Sequence, residues 1–477
     1  MHSSLFKITV FLTLLFIFLQ DFTVRIGEQM LYVAPLFIIA SLVLIITLNK
    51  KKFITHFFYL YKYTPVKYLF LLVAYMIISS FLHGGLSAVI VVIYRTVLIY
   101  GLTVIPSVLF ATAYLSFTNS QVKLLKIYVI SCLFILLYGA FDFLCRTIFQ
   151  TEPPLYYLLC TRSYYSKLNG IWITGFQERA SSIFFEPSFF ATFIFLFLPL
   201  AYVLYKSKIK IIKNKKFDYI FKISLIMLFW LCLFFTKSPI YIILSTIYTI
   251  IFFRNDIIRI LKKTIAIPLI LTCIFAFLVF DTDIISSNIT KQNKVLFRVY
   301  TVATSFGDLY SLVERDHSMA TRVIATINTY QAFKKVPIFG CGYGNGSNIM
   351  YDQYVKDTKT PLTEEIIDKQ IKLNKTGPSP NIFWSMLLQT GIIGTSLLYL
   401  FFIKSITTAS KIQKFFIGKT QLFLIIIKNI AINYIIISFY WSLDSYPMMW
   451  FIFGILNAYI LRYKLFNKFV KKIKQGE

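Results

Sequence analysis

Charged residues are scarce in this sequence: only 14% of its 477 residues are Asp, Glu, Lys or Arg, whereas 57% are apolar. Ordinary soluble proteins carry about 25% charged residues, so the composition excludes a soluble enzyme. The apolar residues extend along the whole chain and do not alternate with polar ones, which excludes a single membrane anchor and an outer-membrane β-barrel. The sequence therefore predicts an all-α, polytopic integral membrane helix bundle.

The chain also lacks the motifs of nucleotide and metal chemistry. No G-x-x-x-x-G-K-[ST] sequence occurs, and the predicted inner loops are too short to fold a nucleotide-binding domain. The six cysteines form no C-x-x-C pair and the four histidines are scattered, so no metal or other cofactor is expected. For the external Cys160 and Cys341, two free thiols are favoured over a disulfide. Any reaction must use a substrate that is already energised in the membrane.

Apolar runs of about 20 residues, the length that crosses a bilayer, recur along the chain. About twelve runs qualify, with eleven or thirteen left open; they cover residues 4–20, 30–48, 66–83, 87–115, 125–148, 183–205, 218–236, 238–253, 265–280, 381–403, 421–442 and 446–462. Residues 1–280 thus carry transmembrane helices 1–9, residues 281–380 form one large external loop, and residues 381–477 carry helices 10–12 and a basic tail.

Basic residues are unevenly distributed between the two sides of these predicted spans. With the N-terminus inside, the inner segments hold more than half of the 49 Lys and Arg residues but only three acids, Asp218, Asp256 and Glu477. This bias predicts a multi-pass protein with both termini in the cytoplasm. The net charge of +29 is then explained by orientation, and no nucleic acid partner is expected.

Function is expected on the outer side, because the loop 281–380 is too long for a simple connection. Apolar residues at helical spacing predict a helix there that ends before Pro337. Around its start lie four polar side chains, Arg315, Asp316, His317 and Arg322, and after it come alternating glycines at 340, 342, 344 and 346. Arginines grip phosphate, and glycine amides exposed in turns bind anions. The pattern favours a phosphate-bearing ligand, with Tyr343 and Phe383 available to stack on sugar rings, although alternating glycines are also typical of a flexible turn.

Ionisable residues inside predicted spans are functional hypotheses, because a charge in the membrane is costly. For Asp142, which can pair with Arg146, and for Lys428, which can reach the inner surface, a structural role is favoured. The remaining three, Arg95, Glu186 and Lys237, are predicted to line a polar cavity.

The segment Arg179 to Ser188 enters the sixth predicted span from outside. If the helix begins early enough, Arg179, Ser182 and Glu186 share one face, and Pro187 bends the helix near its outer end. Such a bend would turn the Glu186 carboxylate toward a water-filled site. An ion pair between Glu186 and Arg179 with a structural role is the alternative.

The order of these motifs resembles the O-antigen and capsular polysaccharide polymerase and ligase superfamily over about residues 90–460. The resemblance is carried by R-x-x-S-x-F-x-E-P-S at 179–188, T-K-S at 236–238, Arg322, P-I-F-G-C-G-Y-G at 337–344, P-N-I-F at 380–383 and G-I-I-G at 391–394. It implies a GT-C-like fold and an enzyme of the bacterial cytoplasmic membrane that acts on undecaprenyl-pyrophosphate-linked glycans at the outer face without a nucleotide. A chain-length regulator and a flippase are candidate partners.

The resemblance implies that Arg179 and Arg322 contact lipid pyrophosphate or the growing glycan. The transfer also needs a base for the hydroxyl proton, and Glu186, then His317, is predicted for that role because a partly dry site can tune the pKa of either group. The substrate-binding set comprises Arg95, Lys237, Arg315, Gly340, Gly342, Tyr343, Gly344 and Asn381. Ligases of the superfamily commonly carry a histidine where this chain has Gly377 to Asn381, which favours a polysaccharide repeat-unit polymerase. A lipid-linked glycan ligase and a flippase or other transporter remain alternatives.

Overall fold

A computed structural model of the protein describes residues 4–19, 23–26, 29–118, 121–156, 179–184, 186–261, 317–343, 346, 381–440 and 447–474. The predicted span 265–280 and most of the large loop, including Arg315 and Gly344, lie outside these residues. A second helix, which the sequence predicts after Pro361 through Glu364 to Leu373, also lies outside them.

The described chain is almost entirely helical. Its α-helices are α1 (Ser4–Phe18), α2 (Val33–Leu48), α3 (Lys50–Tyr63), α4 (Val66–Thr96), α5 (Ile105–Thr118), α6 (Gln121–Thr147), α7 (Pro187–Lys206), α8 (Lys215–Phe235), α9 (Pro239–Leu261), α10 (His317–Phe333), α11 (Ile382–Ile412), α12 (Gly418–Ser438) and α13 (Pro447–Lys474). A π-helix, Val97–Val104, joins α4 to α5, and a 3-10 turn, Gln413–Phe415, follows α11. Two short antiparallel strands, β1 (Thr23–Ile26) and β2 (Gln29–Tyr32), pair Thr23 with Tyr32 between α1 and α2. The helix-bundle prediction is therefore confirmed, with a small hairpin added.

The predicted number of spans is not confirmed. Among the described residues, six helices are long and apolar enough to cross a membrane, or seven if α2 and α3, which are bent by 115°, count as one span. Three further apolar stretches, Lys7–Phe18, Val66–Phe81 and Ile240–Asn255, are shorter. The predicted break between residues 83 and 87 is wrong, since α4 continues through His83, Gly84 and Gly85 to Thr96. Glycine is tolerated within membrane helices because neighbouring elements can satisfy the backbone.

Close helix contacts organise the centre of the bundle. Gly454 of α13 lies against Ala111 and Val108 of α5, and Gly139 of α6 lies against Phe190 of α7. Small residues allow such approaches in membrane bundles, where packing replaces the hydrophobic effect. Aromatic rings fill the space around α11, α12 and α13, including the stacked pair Phe402 and Phe453 at 4.6 Å.

Side-chain contacts fix the direction of the helices that carry the candidate site. The Thr192 hydroxyl donates to Tyr241 at 2.5 Å near the start of α7 and α9, and Lys206 donates to the Phe252 carbonyl further along both. These two helices therefore run in the same direction. α12 runs the opposite way, because Asn433 donates to the Phe195 carbonyl while Tyr440, beyond its end, contacts Tyr241.

The bundle consequently has two distinct ends. We call the end that holds residues 179–184, 186–187, 236–239 and 381–383 the site end. The opposite end, with the 206–216 and 413–418 connections and the last part of α13, is called the basic end. Tyr459 donates to the Thr420 carbonyl, and Lys468 lies 5.8 Å from the Tyr59 ring, which brings α13 and α3 to the basic end.

Candidate active site at the start of α7 and α9

The approach to α7 is a turn rather than a helix. α7 begins at Pro187, with Glu186 in an extended conformation (φ −131°, ψ 148°) as its N-cap. The predictions that Arg179, Ser182 and Glu186 share a helical face and that Pro187 bends the helix are therefore wrong. Proline is favoured as the first helical residue because the N–H it lacks would have no partner inside the helix.

Arg179 is held against the turn between α8 and α9. Its Nε donates to the Thr236 carbonyl at 2.7 Å and its Nη2 donates to the Ser238 hydroxyl at 3.1 Å. Both partners flank Lys237, whose backbone φ of +50° is unusual for a side chain of this size. The structure thus brings two of the predicted cations, Arg179 and Lys237, to one turn. Such a concentration of positive charge suits an anionic ligand.

A buried carboxylate fixes the chain between Arg179 and Glu186. Asp142 of α6 is fully buried, and its Oδ2 accepts hydrogen bonds from the backbone N–H groups of Ser181 at 2.7 Å and Ser182 at 2.8 Å. Its Oδ1 accepts from Arg146 Nε at 2.5 Å. The predicted structural pair of Asp142 and Arg146 is confirmed. Its additional role as an anchor for residues 181 and 182 was not predicted, because the sequence gives no local signal for a contact across 39 positions.

Further hydrogen bonds complete this anchor. Ser182, at φ +53°, donates through its hydroxyl to the Ile135 carbonyl at 2.7 Å, and Ala180 N–H donates to the Phe235 carbonyl at 3.0 Å. The Arg146 guanidinium lies 4.8 Å from the centre of the Tyr156 ring. Hydrogen bonds therefore join the segment 180–182 to both α6 and α8.

The Glu186 carboxylate is half-buried at the start of α7 and accepts a hydrogen bond from Ser188 at 3.0 Å. The described residues contain no ion pair between Glu186 and Arg179, so the structural alternative for Glu186 is not supported. A partly exposed carboxylate with one neutral donor is available to accept a proton.

The glycine-rich turn is a packing element. The backbones of Gly340 (φ +73°) and Gly391 (φ +63°, ψ −167°) pack directly against each other. A Cβ on Gly391 would overlap the Ile338 carbonyl oxygen. Cys341 N–H donates to the Leu388 carbonyl at 2.9 Å, and Gly340 N–H to that of Val336 at 3.0 Å. The predicted exposure of amides in this run is therefore wrong for the residues from Gly340 to Tyr343, all of which are buried.

Tyr343 ends the described part of this turn and joins it to α4. Its N–H donates to the Ser80 hydroxyl at 3.1 Å, and its ring meets Tyr100 edge to face at 5.8 Å. Because the residue is only 4% exposed, it does not present a ring face for sugar stacking. Next to it Gly342 has a φ of +89°. Cys341 forms no disulfide within the described part of the chain, and burial raises the pKa of its thiol to about 12.

Asn381 caps the start of α11 at the site end. Its side-chain oxygen accepts from Trp384 N–H at 2.9 Å, which is an N-cap, and the residue is 3% exposed. Phe383 packs on Phe439 at 4.7 Å, and the adjacent Tyr440 packs on Tyr241 of α9. These contacts join the start of α11 to the starts of α7 and α9.

The other candidates are only partly described. Arg95 lies on α4, and His317 and Arg322 lie on α10, but their side chains are outside the described part of the structure; Arg315 and Gly344 are outside it altogether. Lys428 donates to Gln413 at 2.9 Å at the basic end, so its predicted structural role is confirmed.

The middle part of the chain matches a known protein family. Residues 223–399 match the family model described as O-antigen ligase. The match confirms the superfamily resemblance. Members of this family are enzymes that act on lipid-linked glycans, and the match supports a ligase-type or polymerase-type activity for this chain. No curated protein gave a match. The matched stretch contains Lys237, Arg322 and the glycine turn, whereas Arg179 and Glu186 precede it, so their candidacy depends on their contacts.

Proposed function

We propose that this protein polymerises undecaprenyl-pyrophosphate-linked oligosaccharide repeat units into a surface polysaccharide at the outer face of the bacterial cytoplasmic membrane. The observation that carries the proposal is the pair of hydrogen bonds from Arg179 to both neighbours of Lys237. Two cations at one turn suit the pyrophosphate of a lipid-linked donor. The O-antigen ligase family match over the adjoining helices supports a glycan as the rest of that donor.

The reaction transfers a glycan between two lipid-linked substrates. A hydroxyl oxygen of the incoming repeat unit attacks the anomeric carbon of the growing glycan, and the bond from that carbon to the pyrophosphate oxygen breaks. Polyprenyl pyrophosphate leaves with the bonding electron pair, and its developing charge is stabilised by Arg179, Lys237 and Arg322. Glu186 accepts the hydroxyl proton, with His317 as the second candidate. Atoms and charge balance without a nucleotide or a metal ion.

A polymerase is favoured over a ligase by residues 377–381, which read G-P-S-P-N where ligases commonly carry a histidine. A flippase is less favoured, because the large loop falls between predicted spans nine and ten and breaks the symmetry of two equal halves. In the cell, a flippase and a chain-length regulator would then act as separate partner proteins.

Glycan analysis of cells that lack the protein tests this proposal. Loss of a polymerase leaves single repeat units on the polyprenyl carrier, whereas loss of a ligase leaves long polymer that is not attached to its final acceptor. Absence of repeat units from the outer leaflet would indicate a flippase. Re-expression of wild-type protein restores polymer in the first case. An Arg254→Lys variant, used as a control, should restore it as well, because Arg254 is exposed on α9 away from the site end.

A further inference from the structure

Helix α3 was predicted as an inner loop, but it is a 14-residue helix that lies at a steep angle to its neighbour. It is bent by 115° from α2 at Asn49. Fourteen residues extend about 21 Å, well short of the roughly 30 Å of a bilayer core. α3 is therefore too short to cross the membrane alone, and the 115° bend turns it away from the axis of α2.

One face of α3 is packed on the bundle. Phe53, His56 and Leu60 are buried, with His56 against the ring of Phe117 at 5.4 Å. Burial lowers the pKa of His56 to about 4, so this face carries no charge at neutral pH. α3 is thus fixed at the basic end with one definite side turned outward.

The outward side has an apolar part and a cationic part. Ile54, Phe58 and Tyr61 are 56%, 68% and 45% exposed, and at about 100° per residue they lie within about 60° of one another. A second exposed group follows further around the helix, formed by Lys51, Thr55 and Lys62. Lys50 and Lys52 are exposed at the N-terminal end, and α3 contains no acidic residue.

We propose that α3 lies in the interfacial layer of the membrane and binds anionic phospholipid headgroups. Ile54, Phe58 and Tyr61 insert at the boundary of the acyl chains, while Lys51 and Lys62 contact phosphates in the adjoining headgroup layer. Exposed apolar and basic sectors side by side on a helix that is bent by 115° from its neighbour suit this environment. α3 contains no acidic residue and has lysines beside its apolar sector. Its surface therefore favours an anionic lipid over a neutral one. The inference does not depend on the enzymatic reaction.

Depth measurements on the full-length protein test the insertion. Nitroxides are attached at Phe58→Cys and, as the matched control, at Thr55→Cys in a chain whose six native cysteines are replaced, reconstituted in phosphatidylcholine vesicles with phosphatidylglycerol. The label at 58 is expected to be more accessible to oxygen than to a water-soluble nickel complex, and the label at 55 the reverse. Access of the nickel complex to both labels would overturn the proposal. The exposed side of α3 would then be a candidate surface for a protein partner. Preferential access of oxygen to both would also overturn it, because α3 would then lie within the hydrocarbon.

Lipid selectivity tests the headgroup contact without removing any cysteine. In the Lys51→Gln/Lys62→Gln protein, the preference of bound spin-labelled phosphatidylglycerol over phosphatidylcholine is expected to fall severalfold. The control Lys334→Gln/Lys335→Gln removes the same charge from exposed residues after α10 and is expected to keep the wild-type preference. An unchanged preference in the α3 variant would overturn the headgroup contact.

Discussion

Arg179 reaches its hydrogen-bond acceptors across 57 and 59 positions of the chain. The sequence selects Glu186 and Lys237 because a charge inside a predicted span is costly, and Arg179 because it begins the 179–188 motif that carries the resemblance. It could not predict how they meet, because backbone carbonyls such as that of Thr236 leave no mark on the residue pattern. It also placed Arg179 on a helix, since the periodicity of α7 gives no sign that the helix begins only at Pro187.

Arg179→Lys tests whether the geometry of the guanidinium matters beyond its charge. An ammonium cannot reproduce the fork that reaches both Thr236 and Ser238. We expect the rate of polymer formation to fall about 10-fold to 100-fold, which corresponds to the free energy lost with one hydrogen bond from a charged group. The rate is measured by chain-length analysis of glycan made by purified protein. Arg254→Lys, the same change at an exposed position, should leave it unchanged. Full activity of Arg179→Lys would exclude Arg179 from the site.

Asp142→Asn tests the anchor of the segment 180–182, because the amide loses the charge that two backbone N–H groups and Arg146 share. Asp218 is a matched control: it accepts from the N–H groups of Ile211 and Ile212 and pairs with Lys222 at 2.9 Å, but at the basic end. We expect both variants to be less stable, with a free energy of unfolding lower by about 3 kcal/mol or more for each broken buried pair.

Activity separates the two carboxylates. Only Asp142→Asn should reduce kcat/KM of the folded fraction, because only its loop carries Arg179. Equal specific activity of the two folded variants would show that Asp142 supports the fold alone.

At the scale of whole elements, the ends of the long helices were predicted well where proline marks them. Pro187, Pro239 and Pro447 each begin a helix within a few residues of the predicted boundary. The sequence does not predict the amphipathic helix α3, since Lys50, Lys51 and Lys52 end an apolar run. The glycine turn was identified but misinterpreted: its amides bind other backbone and hydroxyl groups, a tertiary arrangement that alternating glycines alone do not reveal.

Gly391→Ala tests this turn as a structural element. Gly391 has backbone angles that essentially only glycine adopts, and a Cβ there meets the Ile338 backbone. Gly418 also has a positive φ (+60°) but has no neighbour within 4 Å of an added Cβ. Gly418→Ala should therefore cost only about 1–2 kcal/mol. Gly391→Ala should lower the thermal unfolding midpoint by clearly more, measured on detergent-solubilised protein. Equal midpoints would mean that the turn yields easily and does not secure α11.

At the scale of the molecule, charge is polarised along the bundle. The lysines from 206 to 216 and those of α13 lie at the basic end, whereas the turn between α8 and α9 that binds Arg179 lies at the site end. The sequence predicted this separation from the distribution of Lys and Arg alone. The described residues do not confirm the predicted number of spans. Hydropathy alone does not distinguish a helix that crosses the membrane from one that is short, bent or buried within the protein.

Cysteine labelling tests which end faces the cytoplasm. Lys213 and Lys335 are both exposed, the first at the basic end and the second after α10. In intact cells, an impermeant maleimide should label Lys335→Cys and reach Lys213→Cys only after permeabilisation, because the basic end is expected inside. Labelling of Lys213→Cys in intact cells would reverse the orientation.

Polymer synthesis by purified protein tests the proposed reaction most directly. The protein is reconstituted in vesicles with undecaprenyl-pyrophosphate-linked repeat units, with a chelator present and no nucleotide, and products are separated by length. We expect a ladder of polymers that is absent with Glu186→Gln at equal protein level. Products that never exceed one repeat unit with folded wild-type protein, or a strict requirement for ATP, would contradict the proposed polymerase.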